Sequence, residues 1–185
     1  MKLKVCSYPV DWDLHQILVL PVFEDQLPPQ GSTGRIDFRL QGLITGMILE
    51  NLFSPQESWL LMNLTGKLAE AILLAGAGKH QQLNLDRVAN WSEEICRKVV
   101  RAGGKFFSLA IDQLYQDSFF LKDYCEALLK AFLPLRTERI NLYCGEKLAP
   151  KLTQELERWL HHLHFTEEVE LEISWSPEVL GRKER

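Results

Sequence analysis

Residues Arg35 to Lys79 read RIDFRLQGLITGMILENLFSPQESWLLMNLTGKLAEAILLAGAGK, and this stretch decides the fold class. Its first half places apolar residues at steps of three and four, which predicts one helix that ends at Ser54-Pro55. Two short apolar runs follow, Trp59 to Leu64 and Ala71 to Ala75, and such runs predict strands that are covered on both faces and central in a sheet. The apolar helix face consists of Ile36, Leu40, Leu43, Ile44, Met47 and Ile48.

The residues before this stretch predict two further strands and a loop. Lys2 to Tyr8 begins with alternating charged and apolar residues, which indicates a half-exposed strand. Leu14 to Phe23 is more continuously apolar and indicates a buried strand. Gln26 to Gly34 contains two prolines and two glycines, so we expect a loop there.

The residues after the glycine turn alternate between helical and strand patterns. Asn84 is placed to cap a helix that Gly103-Gly104 ends. That helix has an apolar stripe of Val88, Trp91, Ile95, Val99 and Ala102. The remaining predicted elements are strands at Phe106 to Ile111, Ile140 to Cys144 and Glu168 to Trp175, and helices at Asp117 to Phe132 and Ala149 to Leu163.

Such alternation predicts a single α/β domain over residues 1–185. We expect a three-layer sandwich with a mixed, mostly parallel sheet and helices on both faces. No internal repeat or linker divides the sequence.

Four segments follow one another in a recognisable order: Ile17 to Asp25, Asp37 to Leu43, Ala71 to Lys79 and Leu85 to Ala89. Their order and spacing resemble the amino-terminal domain of the cytosol (leucyl) aminopeptidase family over roughly residues 14 to 132. The resemblance implies a macro-like α/β fold. In that family the peptidase chemistry belongs to a second domain with two metal ions and the signature N-T-D-A-E-G-R, which does not occur in this sequence.

The resemblance therefore carries over no catalytic residue, and we expect a chain that is not an enzyme. Because the family domain helps to arrange subunits around the catalytic assembly, the resemblance implies a role in protein association or regulation. The expected partners are a second copy of the chain, forming a homo-oligomer, or a separate aminopeptidase catalytic chain.

Composition and charge indicate which partners and which cellular compartment to expect. The net charge of −4 and pI near 5.8 argue against a nucleic-acid partner, which usually needs a basic surface. The amino terminus lacks the apolar core of a signal peptide, and the longest apolar run is too short to span a membrane. The four cysteines are widely spaced and lie in apolar patterns, so we expect buried free thiols and a cytoplasmic protein.

The turn Gly76-Ala77-Gly78-Lys79 is the one predicted ligand site. Glycines after a parallel strand let backbone amides approach an anion, and the next helix begins with positive partial charge. The turn matches neither a Walker loop nor the dinucleotide fingerprint, since Gln81 stands where the latter needs a third glycine or alanine. Two interpretations stay open: a tight structural connection, or an anion or nucleotide pocket of a small-molecule binding module for ligands such as ADP-ribose.

The remaining polar clusters predict no catalytic or metal site. Glu157, His161 and His164 share one helix face and carry side chains that can bind a transition metal. They lie beside the apolar stripe near the end of the helix, as does His162, so the sequence indicates a solvated helix end. No serine or cysteine lies in a nucleophile motif. We therefore predict no metal and no cofactor.

Overall fold

The computed structural model describes residues 1–56, 58–62, 68–135, 137–162 and 169–175. Within these ranges, strands and helices alternate along most of the chain. The strands are β1 (Lys2–Cys6), β2 (His15–Val22), β3 (Ser58–Met62), β4 (Ala69–Gly76), β5 (Phe106–Ala110), β6 (Arg139–Tyr143) and β7 (Glu170–Ser174). The α-helices are α1 (Gly31–Arg39), α2 (Leu43–Leu49), α3 (Leu85–Arg101), α4 (Leu121–Phe132) and α5 (Ala149–His162), with 3-10 turns at Val10–Trp12 and His80–Gln82.

The seven described strands form one sheet in the order β3-β4-β2-β5-β6-β1-β7. Six of them run parallel, and β3 is antiparallel to β4. The prediction that the Trp59 to Leu64 run is central is wrong, because β3 is the outermost strand beside β4, and residues 63 and 64 lie outside the described ranges. The prediction of a half-exposed first strand is also wrong, because β1 lies between β6 and β7, and even Lys4 is 2% exposed.

Helices cover both faces of the sheet, as predicted, and give a three-layer sandwich. One face of the sheet and helices α3, α4 and α5 share a large apolar cluster, in which Phe107, Ile95 and Leu128 are buried. The opposite face packs against α1 and α2 through Ile36 and Ile44. Since burying one such side chain contributes about 1.5 to 3 kcal/mol, these two clusters account for most of the stabilisation of the sheet.

The apolar stripe from Ile36 to Ile48 belongs to two helices and not to the single predicted helix. The chain turns at Gln41 and Gly42, which both have positive φ values of 58° and 80°. The Asp37 carboxylate then accepts the amide of Ile44 at 2.7 Å and caps α2. Helix α1 also begins at Gly31, within the predicted loop, so local loop composition was a poor guide there.

The predicted start and end of α3 are confirmed. The Asn84 side chain accepts the Arg87 amide at 2.9 Å, as an N-cap does. At the other end, Gly103 has a φ of 76°, and the Gly104 amide donates to the Val99 carbonyl at 3.0 Å. The stripe is buried from Val88 to Val99, but Ala102 is exposed because it is the C-cap residue.

No helix in the described part of the chain combines the length and the apolar character that crossing a bilayer requires. The predicted burial of the four cysteines is confirmed, and all four are free thiols.

Two glycines at the α1–α2 turn give a matched test of this backbone. Gly42 needs its left-handed conformation, whereas Gly46 lies within α2, and an added Cβ meets no atom within 4 Å at either position. We expect Gly42→Ala to lower the free energy of unfolding by about 1 to 2 kcal/mol, and Gly46→Ala to raise it by about 0.5 to 1 kcal/mol. Urea denaturation measures both changes, and equal effects of the two substitutions would contradict the described turn.

Candidate functional site

A cleft opens at the carboxyl ends of the parallel strands β5 and β6. Its cavity has a volume of about 570 Å³. In open α/β sheets, ligands bind beyond the carboxyl ends of the strands, so the position is typical of a binding site. Its lining comes from the segments that follow β4, β5 and β6: His80, Asp112, Tyr115, Gln116, Asp117, Cys144, Gly145, Glu146, Lys147 and Leu148.

Asp112 joins this cleft to the beginning of α1. Its Oδ2 accepts the amide of Ser32 in the first turn of the helix at 2.8 Å. A Cβ added at Gly31 would lie 2.5 Å from the same oxygen, so only glycine permits this close approach. Asp112 Oδ1 is buried and has no hydrogen-bond partner within the described residues. Burial raises the pKa of Asp112, and the hydrogen bonds from Ser32 oppose that shift only in part.

Tyr124 of α4 contributes a second unsatisfied polar group below the cleft. The residue is fully buried, and its hydroxyl has no partner within the described part of the chain. Its ring packs edge-on against Tyr115, with centroids 5.3 Å apart. Burial raises the pKa of Tyr124, with smaller contributions from Cys144, Cys125 and Asp112. Buried polar atoms are usually hydrogen-bonded, so the unsatisfied atoms of Asp112 and Tyr124 are unusual.

The predicted turn Gly76-Ala77-Gly78-Lys79 lies beside the cleft and uses two of its amides internally. The Ala77 amide donates to the Val22 carbonyl at 2.9 Å, and the Gly78 amide donates to the Pro55 carbonyl at 3.4 Å. Gly78 has a φ of 70°, and the Lys79 side chain is exposed. The backbone freedom of glycine is therefore used to form the turn. Ligand binding at these four residues stays a prediction.

A carboxylate of the chain also occupies the amides that follow this turn. The His80 and Gln81 amides donate to the two oxygens of Asp25, at 2.6 and 3.0 Å. Asp25 is exposed, and its slight desolvation would raise its pKa, but the hydrogen bonds from the Gln81 and His80 amides outweigh this effect and lower the pKa. His80 reaches the cleft because Phe23 packs against its ring and Gln116 donates to its carbonyl at 2.9 Å.

A second cavity, of about 710 Å³, lies along α1 but is a weaker candidate. Pro28, Pro29 and several glycines contribute to its wall. Its one carboxylate, Asp37, is already engaged, since it accepts the Ile44 amide and the Thr45 hydroxyl. This cavity therefore offers a ligand fewer unsatisfied polar groups than the cleft does.

The other polar groups of interest give no catalytic arrangement. His15 is buried between the Ser108 hydroxyl and the Val10 carbonyl, at 2.8 Å from each, and burial lowers its pKa. Asp13 accepts the hydroxyls of Tyr8 and Tyr143. These groups satisfy one another on the α1 face of the sheet, so their arrangement is structural.

The sequence places candidate metal ligands near the end of α5, but it predicts a solvated helix end there and separate buried thiols elsewhere. His161 and His162 are exposed at the end of α5, while His164 lies outside the described residues. Within the described ranges, no group of three metal-ligating side chains occurs. Burial raises the pKa of Cys6 to about 11 and that of Cys125 to about 12, which makes both thiols poor nucleophiles.

The sequence reasoning missed Asp112, Tyr115 and Tyr124. One signal was available: Asp112 is a charged residue immediately after the apolar run from Phe106 to Ile111. The carboxyl end of a parallel strand is where such a residue reaches a ligand crevice. The buried hydroxyl of Tyr124 has no comparable signal, because a tyrosine within an apolar helix pattern indicates core packing.

No protein-family model matches the sequence, and no curated protein matches it. The fold does match solved structures. A macrodomain variant from Oceanobacillus iheyensis solved with ADPR has a TM-score of 0.62 and 12% identity, and covers 85% of this chain and 92% of that chain. The macrodomain of Mycobacterium tuberculosis DarG has a TM-score of 0.63 and 11% identity, and covers 78% of this chain and 98% of that chain.

A mutant of tomato leucine aminopeptidase also matches, with a TM-score of 0.63 and 12% identity. The match covers 87% of this chain and 36% of that chain. The expected aminopeptidase resemblance is thus one match, while macrodomains are the main one. At these identities the comparisons establish that the chain has the macrodomain fold.

The buried, unsatisfied oxygen of Asp112 predicts that removing its charge has a pH-dependent effect on stability. Asparagine keeps an acceptor for the Ser32 amide and removes the buried charge, so Asp112→Asn should raise the free energy of unfolding at pH 7 by about 1 kcal/mol. Burial raises the pKa of Asp112 in the folded state, so its charge destabilises the wild type fully above that pKa. This destabilisation vanishes below the pKa of an unfolded aspartate, near 3.9. Thermal unfolding from pH 7 to pH 4 should therefore show the advantage of the variant shrinking.

Asp117→Asn is the matched control, because Asp117 lines the same cleft and is exposed. We expect it to change stability by less than about 0.5 kcal/mol. An advantage of Asp112→Asn that stays constant over this pH range would contradict the assigned burial of the charge.

Proposed function

We propose that this chain is a small-molecule binding module for ligands of the nucleoside or nucleotide class, such as ADP-ribose. One observation carries the proposal: a cavity of about 570 Å³ lies at the carboxyl ends of β5 and β6 in a macrodomain fold. That volume suits a ligand of this size. Since one fold hosts many functions, the side chains of the cleft determine which ligand fits it.

The cleft combines the groups that such a ligand needs. The half-buried ring of Tyr115 and the imidazole of His80 offer flat surfaces for a base. Gln116 and three carboxylates offer acceptors for sugar hydroxyls. A few polar groups on a mainly pre-formed cavity is the usual composition of a small-molecule site.

The proposal includes binding without chemical turnover. Cys144 is the thiol in the cleft wall, and burial raises its pKa far above the ordinary range, so it is a poor nucleophile. The predicted turn Gly76-Ala77-Gly78-Lys79 borders the cleft through His80, and we propose that it shapes the edge of the site.

Thermal-shift titration with ADP-ribose, AMP and adenosine tests the proposal. A ligand that binds the folded state alone raises the unfolding temperature in a saturable way. We expect Asp117→Trp to abolish the shift, because a bulky ring at this exposed position fills the cleft. Ser118→Trp is the matched control, since Ser118 is exposed next to the cleft but is not part of its wall, and it should leave the shift unchanged.

Two outcomes would count against the proposal. If none of the three compounds gives a saturable shift, the proposal that the chain binds them is wrong. If both tryptophan variants show the same shift, any binding occurs outside the cleft. Chromatography of the recovered ligand after incubation addresses turnover, because new products that require the protein would show that the chain is an enzyme.

Protein association is a second candidate, with a second copy of the chain as the proposed partner. Phe38 on α1 is 84% exposed beside the cavity of about 710 Å³, where Pro28 and Pro29 also lie. An apolar side chain so exposed beside a concave surface is typical of an interaction site. Docking to an aminopeptidase catalytic chain stays a prediction.

Analytical ultracentrifugation tests this candidate. If two copies associate through α1, Phe38→Ser should weaken the dimer by tenfold or more, since a central aromatic contact contributes about 2 kcal/mol. Phe120→Ser is the control, because Phe120 is 78% exposed and lies before α4. A wild-type chain that stays monomeric at high concentration would eliminate the candidate.

A further inference from the structure

Two sets of backbone amides at the strand ends have the geometry to bind a phosphate. One is the Ser32 amide in the first turn of α1, and the other is the amide pair of His80 and Gln81. Amides at such positions attract anions, because they point outwards with positive partial charge. In this chain each set already holds a carboxylate, Asp112 in the first case and Asp25 in the second.

The space beside Gly31 is filled by neighbouring side chains. A Cβ added at Gly31 would lie 2.5 Å from Asp112 Oδ2 and 2.6 Å from the Gln113 side-chain amide. Asp112 Oδ2 also accepts the Ser32 amide, so it occupies the position at which another anion would contact that amide. A phosphate can therefore reach the Ser32 amide only after Asp112 has moved away.

The charge of the cleft opposes phosphate as well. Among the described residues, the cleft wall carries the carboxylates of Asp112, Asp117 and Glu146, against one lysine, Lys147, and the imidazole of His80. A concave surface with excess negative charge concentrates cations and repels anions. The same carboxylates are strong acceptors for hydroxyl donors, and hydrogen bonds to charged groups are stronger than neutral ones.

We propose that the ligand of this cleft is a nucleoside, a ribose-bearing compound without phosphate, whose hydroxyls donate to the carboxylates of the wall. This inference rests on the proposed function and names the ligand class for the same site. Asp112 is then the residue that determines specificity, because it fills the phosphate position at α1. Asp25 has the same effect at the edge of the cleft.

Isothermal titration calorimetry with adenosine, AMP, ADP-ribose and inorganic phosphate tests this assignment. For the wild type we expect adenosine to bind at least tenfold more tightly than AMP and ADP-ribose, and phosphate to give no measurable binding. D-ribose separates recognition of the sugar from that of the base: we expect it to bind more weakly than adenosine but measurably. Failure of ribose to compete with adenosine at any concentration would overturn the role of the hydroxyls.

Three variants separate the charge of Asp112 from its occupation of the Ser32 amide. Asp112→Ala leaves the Ser32 amide without its carboxylate partner, and we expect this variant to bind inorganic phosphate and AMP measurably. Asp112→Asn removes the charge but keeps an acceptor on the amide, and Asp117→Asn removes a charge elsewhere in the wall. Neither asparagine variant should gain phosphate binding. Circular dichroism and thermal unfolding establish beforehand that each variant is folded.

The outcomes distinguish this inference from the proposed function. Tighter binding of AMP or ADP-ribose than of adenosine to the wild type would overturn the inference and leave the proposed function standing. A folded Asp112→Ala variant that does not bind phosphate would overturn the specificity role of Asp112. If no nucleoside or nucleotide binds the wild type, the proposed function and the assigned ligand class fail together.

Discussion

The hydrogen bond between the Ser32 amide and the Asp112 carboxylate holds one acidic side chain of the cleft wall in place. It ties the segment after β2, where α1 begins, to the segment after β5. The contact forms only because Gly31 has no side chain. It also leaves Asp112 Oδ1 buried and without a partner among the described residues, which is costly for a charged group. Residues that destabilise the fold in this way, at the edge where parallel strands end, are more typical of functional sites than of structural positions.

The macrodomain fold explains where the cleft is, but its side chains determine what enters it. Parallel strands end at one edge of the sheet, so the segments after β4, β5 and β6 converge there whatever their sequence. In this chain, the described residues of the cleft wall carry three carboxylates and one lysine. The backbone amides of Ser32, His80 and Gln81 donate to carboxylates of the chain itself. Similarity of fold to a macrodomain solved with ADPR therefore establishes the fold and not the ligand of this cleft.

Local sequence patterns predicted most strands and helices correctly, since burial and capping act over a few residues. The Asn84 cap and the end of α3 at Gly103 are examples. The errors depend on long-range pairing. Lys2 to Tyr8 looks half-exposed by its alternation, yet both faces of β1 are buried, since Leu3 and Val5 belong to one apolar cluster and Cys6 to the other. The break between α1 and α2 depends on Asp37 capping across the turn, which no periodicity reveals. For the same reason the predicted turn at Gly78 was visible, whereas the pairing of Asp112 with Ser32, 80 residues away, was not.

Nuclear magnetic resonance titration of the ¹⁵N-labelled chain with adenosine would show whether a nucleoside binds in the cleft while Asp112 keeps the Ser32 amide. We expect saturable shifts of the amides of Tyr115, Gln116 and Glu146 around the cleft, and an unchanged Ser32 resonance because Asp112 stays bound to that amide. A large shift of Ser32 would show that Asp112 is displaced, and shifts confined to residues remote from the cleft would show that adenosine binds elsewhere.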